Sequence, residues 1–313
     1  MAFMKNTIKI SNIVIFTACL IIAAMGSSPI AHAALRAGAA KVDITHPDSK
    51  QVSSPLYSRA LVIQDEKTTI VLVSMDVVSI GGIGYIKDDF LPNVRRRIKT
   101  SLGIDGTSIL INASHCHGKP AADSETLTVQ AIEVAYQNLE EVTVGVGSGS
   151  EDRIMENRRM FLKNGREIDV RHAYSLPPNK DIAATGPIDP EIGILLLRKT
   201  NGETLAAVYN FACHPIQGVP NGENTADITG FSSQVIEDNL SPGTVALFFQ
   251  GCGGDINPIS YKDIEHPRDA EPLGNLLGLS TLKGIRRIET TDTNKFKLIH
   301  ETIELPRANL APK

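Results

Sequence analysis

Short runs of β-branched and apolar residues recur along this chain, and the segments between them alternate between tight polar turns and longer stretches with helical spacing. This alternation constrains the fold most, because a short turn joins antiparallel neighbours whereas a helix-length crossover can return a strand parallel. Tyr57 to Ile63 and Thr69 to Met75 flank the polar turn at Gln64 to Lys67 and predict a hairpin; Ile192 to Arg198 and Thr204 to Ala212 predict another around Asn201-Gly202. Helical spacing predicts helices over Ile86 to Leu102, Glu125 to Asn138, Phe231 to Asn239 and Pro272 to Ile288. The strands expected among them are Ala37 to Thr45, Ser108 to Ala113, Val142 to Gly147, Thr244 to Phe249 and Phe296 to Leu305. Asn164-Gly165 and Pro177-Pro178-Asn179 mark turns in a long irregular loop. The expected fold is a layered α/β domain with mixed β-sheets flanked by helices.

The first segment reads as an export signal. Lys5 and Lys9 precede an apolar run from Ile13 to Met25, and the small-residue site Ala31-His32-Ala33 follows. A run of roughly a dozen apolar residues is short of the 20 or so that span a bilayer, and no later stretch is long enough. The expected organisation is therefore a signal peptide over 1–33 and one domain over 34–313, secreted or periplasmic and without a transmembrane segment in the mature chain. Removing the signal takes the formal charge from −4 to −6. The basic cluster Arg95-Arg96-Arg97 with Lys99 reads as the solvated face of a helix, so nucleic acid is excluded as a partner. Cys116, Cys213 and Cys252 remain, an odd number that does not make a disulfide framework.

Three segments can carry chemistry. Asn112-Ala-Ser-His115-Cys-His117-Gly118-Lys119-Pro120 ends an apolar strand, and residues two apart on a strand face the same way, so two imidazoles can converge on one ion. Asn210-Phe-Ala-Cys-His214-Pro215 delivers a third histidine at another strand end. Gln250-Gly-Cys-Gly-Gly-Asp-Ile-Asn-Pro258 is a Gly-rich turn whose backbone can approach a ligand closely; it lacks the Gly-Lys-Ser/Thr ending of a phosphate loop. Asp255 within it can ligate metal, act as a base or cap the turn.

Taken in order, Ala37-Gly38, Val42-Asp-Ile-Thr45, Arg59-Ala-Leu-Val-Ile63, Val73-Ser-Met-Asp76, Ser114-His-Cys-His-Gly118, Glu156-Asn-Arg158, Phe211-Ala-Cys-His-Pro215, Ala226-Asp-Ile-Thr-Gly230 and Gly254-Asp-Ile-Asn-Pro258 resemble the N-terminal part of the neutral/alkaline ceramidase family. The resemblance implies a zinc-dependent amidohydrolase cleaving the N-acyl bond of ceramide or another N-acylated small molecule or lipid. It implies His115 and His214 as metal ligands. His117, Arg158, Asp255 and Asn257 would be catalytic, with Asn157 and Gly254 on the substrate. Three positions depart from the family pattern. Asn257 stands where the family has a catalytic serine, Gly118-Lys119-Pro120 leads into Ala121-Ala122 rather than a Gly-rich stretch, and the family's metal-binding Glu and Tyr come from a region after the equivalent of Leu305. Two other functions are compatible with the sequence: a metal-dependent hydrolase of glycans or esters on the same scaffold, and a non-catalytic exported binding protein.

Overall fold

The computed structural model describes residues 34–170, 177–259, 268–293 and 295–306. The expected export signal, residues 1–33, lies outside the described residues. From the N-terminal side the strands are β1 (Arg36–Asp43), β2 (Val52–Ser54), β3 (Tyr57–Gln64), β4 (Thr69–Met75), β5 (Ile109–Ala113), β6 (Glu140–Ser150), β7 (Met155–Asn157), β8 (Arg159–Leu162), β9 (Glu167–Asp169) and β10 (Ile182–Thr185). They continue with β11 (Glu191–Lys199), β12 (Thr204–Phe211), β13 (Asn224–Thr225), β14 (Val245–Gln250) and β15 (Ile256–Pro258). The helices are α1 (Phe90–Leu102), α2 (Ser124–Gln137), α3 (Asp227–Asp238) and α4 (Glu271–Ile285).

Eight strands form one mixed sheet in the order β14-β12-β11-β6-β1-β3-β4-β5. As a ladder its two halves are joined at β1 and β6, where Arg36 opposes Glu141 and Ala37 opposes Glu140. Both expected hairpins are present, β3 with β4 and β11 with β12. At each far edge the pairing turns parallel: β4 with β5, connected through α1, and β12 with β14, connected through α3. Each edge is therefore a βαβ unit, the arrangement that brings ligands to the C-terminal ends of parallel strands.

Alternation along the strands sorts the core into three layers. Ala60, Val62, Val71, Val73 and Met75 face α1 and α2, meeting Phe90, Val94, Ile98 and Ile132. Ile194, Leu196, Ala207, Tyr209, Phe211, Ala246 and Phe248 face α3 and α4, meeting Ile236, Leu277 and Ile285. The intervening residues, Leu61, Ile63, Leu72, Leu197, Ala206, Val245 and Leu247, pack the two half-sheets against each other. The result is four layers, helix–sheet–sheet–helix. Because both faces of these strands are buried, they read as unbroken apolar runs rather than as an alternating pattern.

The space between the half-sheets is apolar at one end and polar at the other. Arg59 on β3 is buried there with Asp76, its Nη1 2.6 Å from Asp76 Oδ2, while its Nε lies 3.6 Å from Glu237 on α3. Asp76 Oδ2 also accepts the Tyr57 N–H at 2.9 Å, and the Arg59 guanidinium stands 4.9 Å from the Tyr57 ring centre. Lys41 completes the group from the surface side by pairing with Glu237. Burial disfavours the Arg59 charge, but Asp76 and Glu237 outweigh it and hold the guanidinium protonated.

Elements differ from expectation where side chains or tertiary contacts override local pattern. Helix α1 begins at Phe90 rather than Ile86, because Asp88 Oδ1 accepts the Gly82 N–H and commits that stretch to the preceding loop. Helix α3 begins four residues earlier than the Phe231 expected. The expected strand over Phe296 to Leu305 is not formed. No strand partner reaches it among the described residues, and Ile299, Ile303 and Leu305 stand 64%, 72% and 78% exposed. Alternating polarity makes a strand only where a ladder is there to satisfy its backbone. Among the described residues no helix is long and apolar enough to cross a membrane.

The buried ion pair yields a contrast. Asp76→Ala leaves Arg59 buried without its nearest counter-charge and is expected to cost about 3–5 kcal/mol in urea denaturation. Lys41→Ala, which opens a partly solvated pair, should cost below about 1 kcal/mol.

Candidate functional site

His115 and His214 are brought together at one end of the two half-sheets. His115 follows β5, an edge strand of the first half, and His214 follows β12 in the second. The chain leaves β5 with Ser114 N–H on the Met75 carbonyl and His115 N–H on the Val77 carbonyl. His115 then adopts a left-handed backbone, φ 72°, a conformation that a non-glycine residue holds only when its surroundings impose it. The two imidazole centroids are 5.0 Å apart, and that of His117 is 5.9 Å from His115.

The ring hydrogen bonds are matched. His115 Nδ1 lies 2.6 Å from the Val78 carbonyl and His214 Nδ1 lies 3.1 Å from the Ile256 carbonyl. A carbonyl can only accept, so each Nδ1 carries a proton, and the neutral form of each ring presents its lone pair at Nε2. Burial lowers the proton affinity of His117 and His214, and the nearby His115 lowers both further; at His214 Arg158 adds to this, and together they outweigh the Ile256 and Gly253 carbonyls, which favour the protonated ring. Neutral imidazoles oriented through Nδ1 are metal donors in waiting. With a metal–nitrogen distance of about 2.0 Å and a tetrahedral angle, two imidazole centroids would sit about 5 Å apart. The His115–His214 pair meets that spacing and His117 stands wider. Among the described residues no group of three or more His, Cys, Asp or Glu side chains is arranged to hold a metal.

The Gly-rich turn supports His214 from below. Gly251 N–H bonds the Phe211 carbonyl, and the His214 N–H bonds the Ile256 carbonyl. A Cβ on Gly251 would lie 3.0 Å from the Phe211 carbonyl carbon, and one on Gly253 would lie 3.1 Å from the Cys213 nitrogen. These two glycines therefore serve close approach to the protein's own β12 exit. Gly254, by contrast, is exposed with open space where a side chain would be.

The remaining expected residues divide by what they touch. Asn157 is buried, its Nδ2 donating to the Pro187 carbonyl and Asp255 and its Oδ1 accepting the Arg159 N–H. Asp255 accepts from Arg159 Nε at 3.0 Å; partial burial would raise its pKa, but the bonds from Arg159 and Asn157 hold it below the usual carboxylate range. Arg158 lies across that turn, its N–H on the Asp255 carbonyl and its Nε 3.0 Å from Asp169 Oδ1, an ion pair without hydrogen-bond alignment. Asn257, on β15 opposite Glu156, is 5% exposed and its Oδ1 has no hydrogen-bond partner among the described residues. Cys116 and Cys213 are buried free thiols held well above the usual thiol range by burial, whereas Cys252 is exposed.

Two positions matter here to which the sequence assigned no role. Asn112 on β5 spans the half-sheets, its Nδ2 donating to the Phe248 carbonyl and its Oδ1 accepting the Gln250 N–H. Asp227 opens α3 with a left-handed backbone, φ 57°, and its carboxylate accepts the N–H groups of Gln217, Gly218 and Ile228. It pins the loop leaving His214 to the helix start. Burial pushes this carboxyl up to about 6 against the pull of those three donors. An Asp just ahead of an apolar-periodic run was the available signal.

Asp227 can be tested by two substitutions that share one loss. Asp227→Gly and Asp227→Ala both leave buried N–H groups without an acceptor, about 1–3 kcal/mol. Alanine should lose about 1 kcal/mol more because it retains the left-handed strain. Equal losses in chemical denaturation would show that the backbone conformation carries no cost.

No family model matches the chain, and no curated protein matches it. Among solved structures, a ceramidase described as complexed with C2 is similar over 82% of this chain and 44% of its own, with a TM-score of 0.65 and 20% identity. The neutral ceramidase from Pseudomonas aeruginosa is similar over 82% of this chain and 45% of its own, with a TM-score of 0.64 and 20% identity. The chain thus spans less than half the length of either, and over that span it has the fold of a neutral ceramidase.

Proposed function

We propose that this protein is an exported, zinc-dependent, ceramidase-like hydrolase that cleaves an N-acyl bond. The observation that carries the reading is the His115–His214 pair, 5.0 Å apart, with each Nδ1 committed to a backbone carbonyl. The ceramidase-like fold supports the reaction class.

His115 and His214 would hold the metal through Nε2, the rest of its coordination coming from solvent, substrate or residues outside those described. A bound zinc supplies Lewis acidity and a lowered pKa for coordinated water. His117, held neutral by burial and by His115, is suited to take a proton from water and pass it toward the leaving amine. Arg158 adds positive charge near His214, where negative charge develops on the carbonyl oxygen of the substrate. Asn257 has no nucleophilic oxygen. Its buried Oδ1, without a hydrogen-bond partner among the described residues, would instead accept the N–H of the substrate amide.

Two measurements test the proposal. Purified protein should contain about one zinc per chain, and His115→Ala or His214→Ala should weaken metal binding by about 100-fold or more, since each removes a ligand outright. Unchanged metal content in both variants would displace the site. N-terminal sequencing of exported protein should begin at Ala34, and retention of the first residues would refute cleavage.

A further inference from the structure

A groove of about 510 Å³ opens beside His117, bordered by Lys50, Lys119, Tyr85, Gln51 and Glu223. A larger cavity of about 600 Å³ lies at Lys41 and Glu237 and includes none of the histidines. The first is the one continuous with the candidate site, and its charge is unusual. The whole chain is acidic, with a formal net charge of −4, yet two lysines line this groove and neither pairs with a carboxylate among the described residues. Glu223 also lines it and accepts from the Gln51 amide, a neutral donor that leaves the carboxylate charged, so the lysines outnumber the acid two to one.

Lys119 is also well placed. Its N–H donates to Asn224 Oδ1 at 2.7 Å, and its carbonyl accepts from Asn224 Nδ2 at 2.9 Å and from the His46 N–H at 3.2 Å. This fixes its backbone two residues beyond His117. A fixed backbone reduces the ordering cost of recruiting the side chain to a ligand. Tyr85, 59% exposed, adds an apolar ring with a polar tip at the same rim.

We propose that the substrate hydrolysed at the histidine site carries an anionic group, a carboxylate or phosphate, on its amine portion, and that Lys50 and Lys119 bind it. This rests on the hydrolase reading above and narrows its substrate class from a neutral N-acyl amino alcohol to an acidic N-acyl compound. In the reaction water adds across the C–N bond: hydroxyl goes to the acyl carbon, a proton goes to nitrogen, and the products are a carboxylic acid and an amine that keeps its anionic group. Ammonium groups favour this partner through charge-assisted hydrogen bonds.

The test compares N-lauroylglycine with N-lauroylethanolamine, which share an acyl chain and differ in the charge of the amine portion. Zinc-loaded protein should bind and cleave the glycine conjugate with about a tenfold preference, the scale of one charge-assisted contact. Lys50→Met with Lys119→Met should abolish that preference. Lys99→Met on α1, away from the groove, should leave it intact. Equilibrium binding by calorimetry is read beside turnover, so the two readings fail separately. Cleavage of neither compound, with the binding preference present and lysine-dependent, sinks the hydrolase reading and upholds the anionic groove. Equal binding of both compounds, or a preference unchanged in the double variant, overturns the inference.

Discussion

Phe248 on β14 sits where the two half-sheets converge, and its carbonyl accepts both the Ser74 hydroxyl of β4 and the Asn112 amide of β5. Asn112 also receives the Gln250 N–H, so one side chain fixes the end of β14 against the end of β5. Apolar packing between two sheets is non-directional and tolerates sliding, whereas a buried amide leaves unsatisfied groups if the register changes. This polar bridge therefore sets the relative position of the halves. The 5.0 Å separation of His115 and His214 depends on it, since each histidine belongs to a different half.

The site is then built from exits rather than from strands. Strand β5 ends in a left-handed turn at His115, and β12 ends against a glycine turn that only residues without a Cβ can approach so closely. Asp227 holds the next loop by gathering three N–H groups onto one carboxylate. Strain at His115 and Asp227 is tolerated because the surrounding bonds overdetermine both positions. Three kinds of local constraint, a reversed backbone, a missing side chain and a buried acid, converge on one pair of rings.

Much of this architecture was legible beforehand, for identifiable reasons. The β3–β4 and β11–β12 hairpins announce themselves because turn chemistry and pattern coincide within about a dozen residues. Histidines at two strand ends were visible for the same reason. The three-stranded sheet of β8, β9 and β10 and the pairs β2–β13 and β7–β15 were not, because their strands are two to four residues long and are defined only by distant partners. Phe296 to Leu305 shows the converse, a favourable pattern with no ladder to join. Asp255 and Asn157 illustrate a further limit: a polar residue beside a site also ties neighbouring turns together, and only coordinates reveal those partners.

The short seam between β1 and β6 has a consequence for how the molecule comes together. Strands of one half all lie between Arg36 and Ala113 and those of the other between Glu140 and Gln250, so nearly every long ladder closes within its own stretch of chain. Chain entropy for those ladders is lost locally, while the meeting of the two halves is secured by side-chain packing and a two-residue seam. The imidazole pair, by contrast, needs both halves in place. The histidine pair exists only where the halves meet, so its integrity is a sensitive report on whether they have closed.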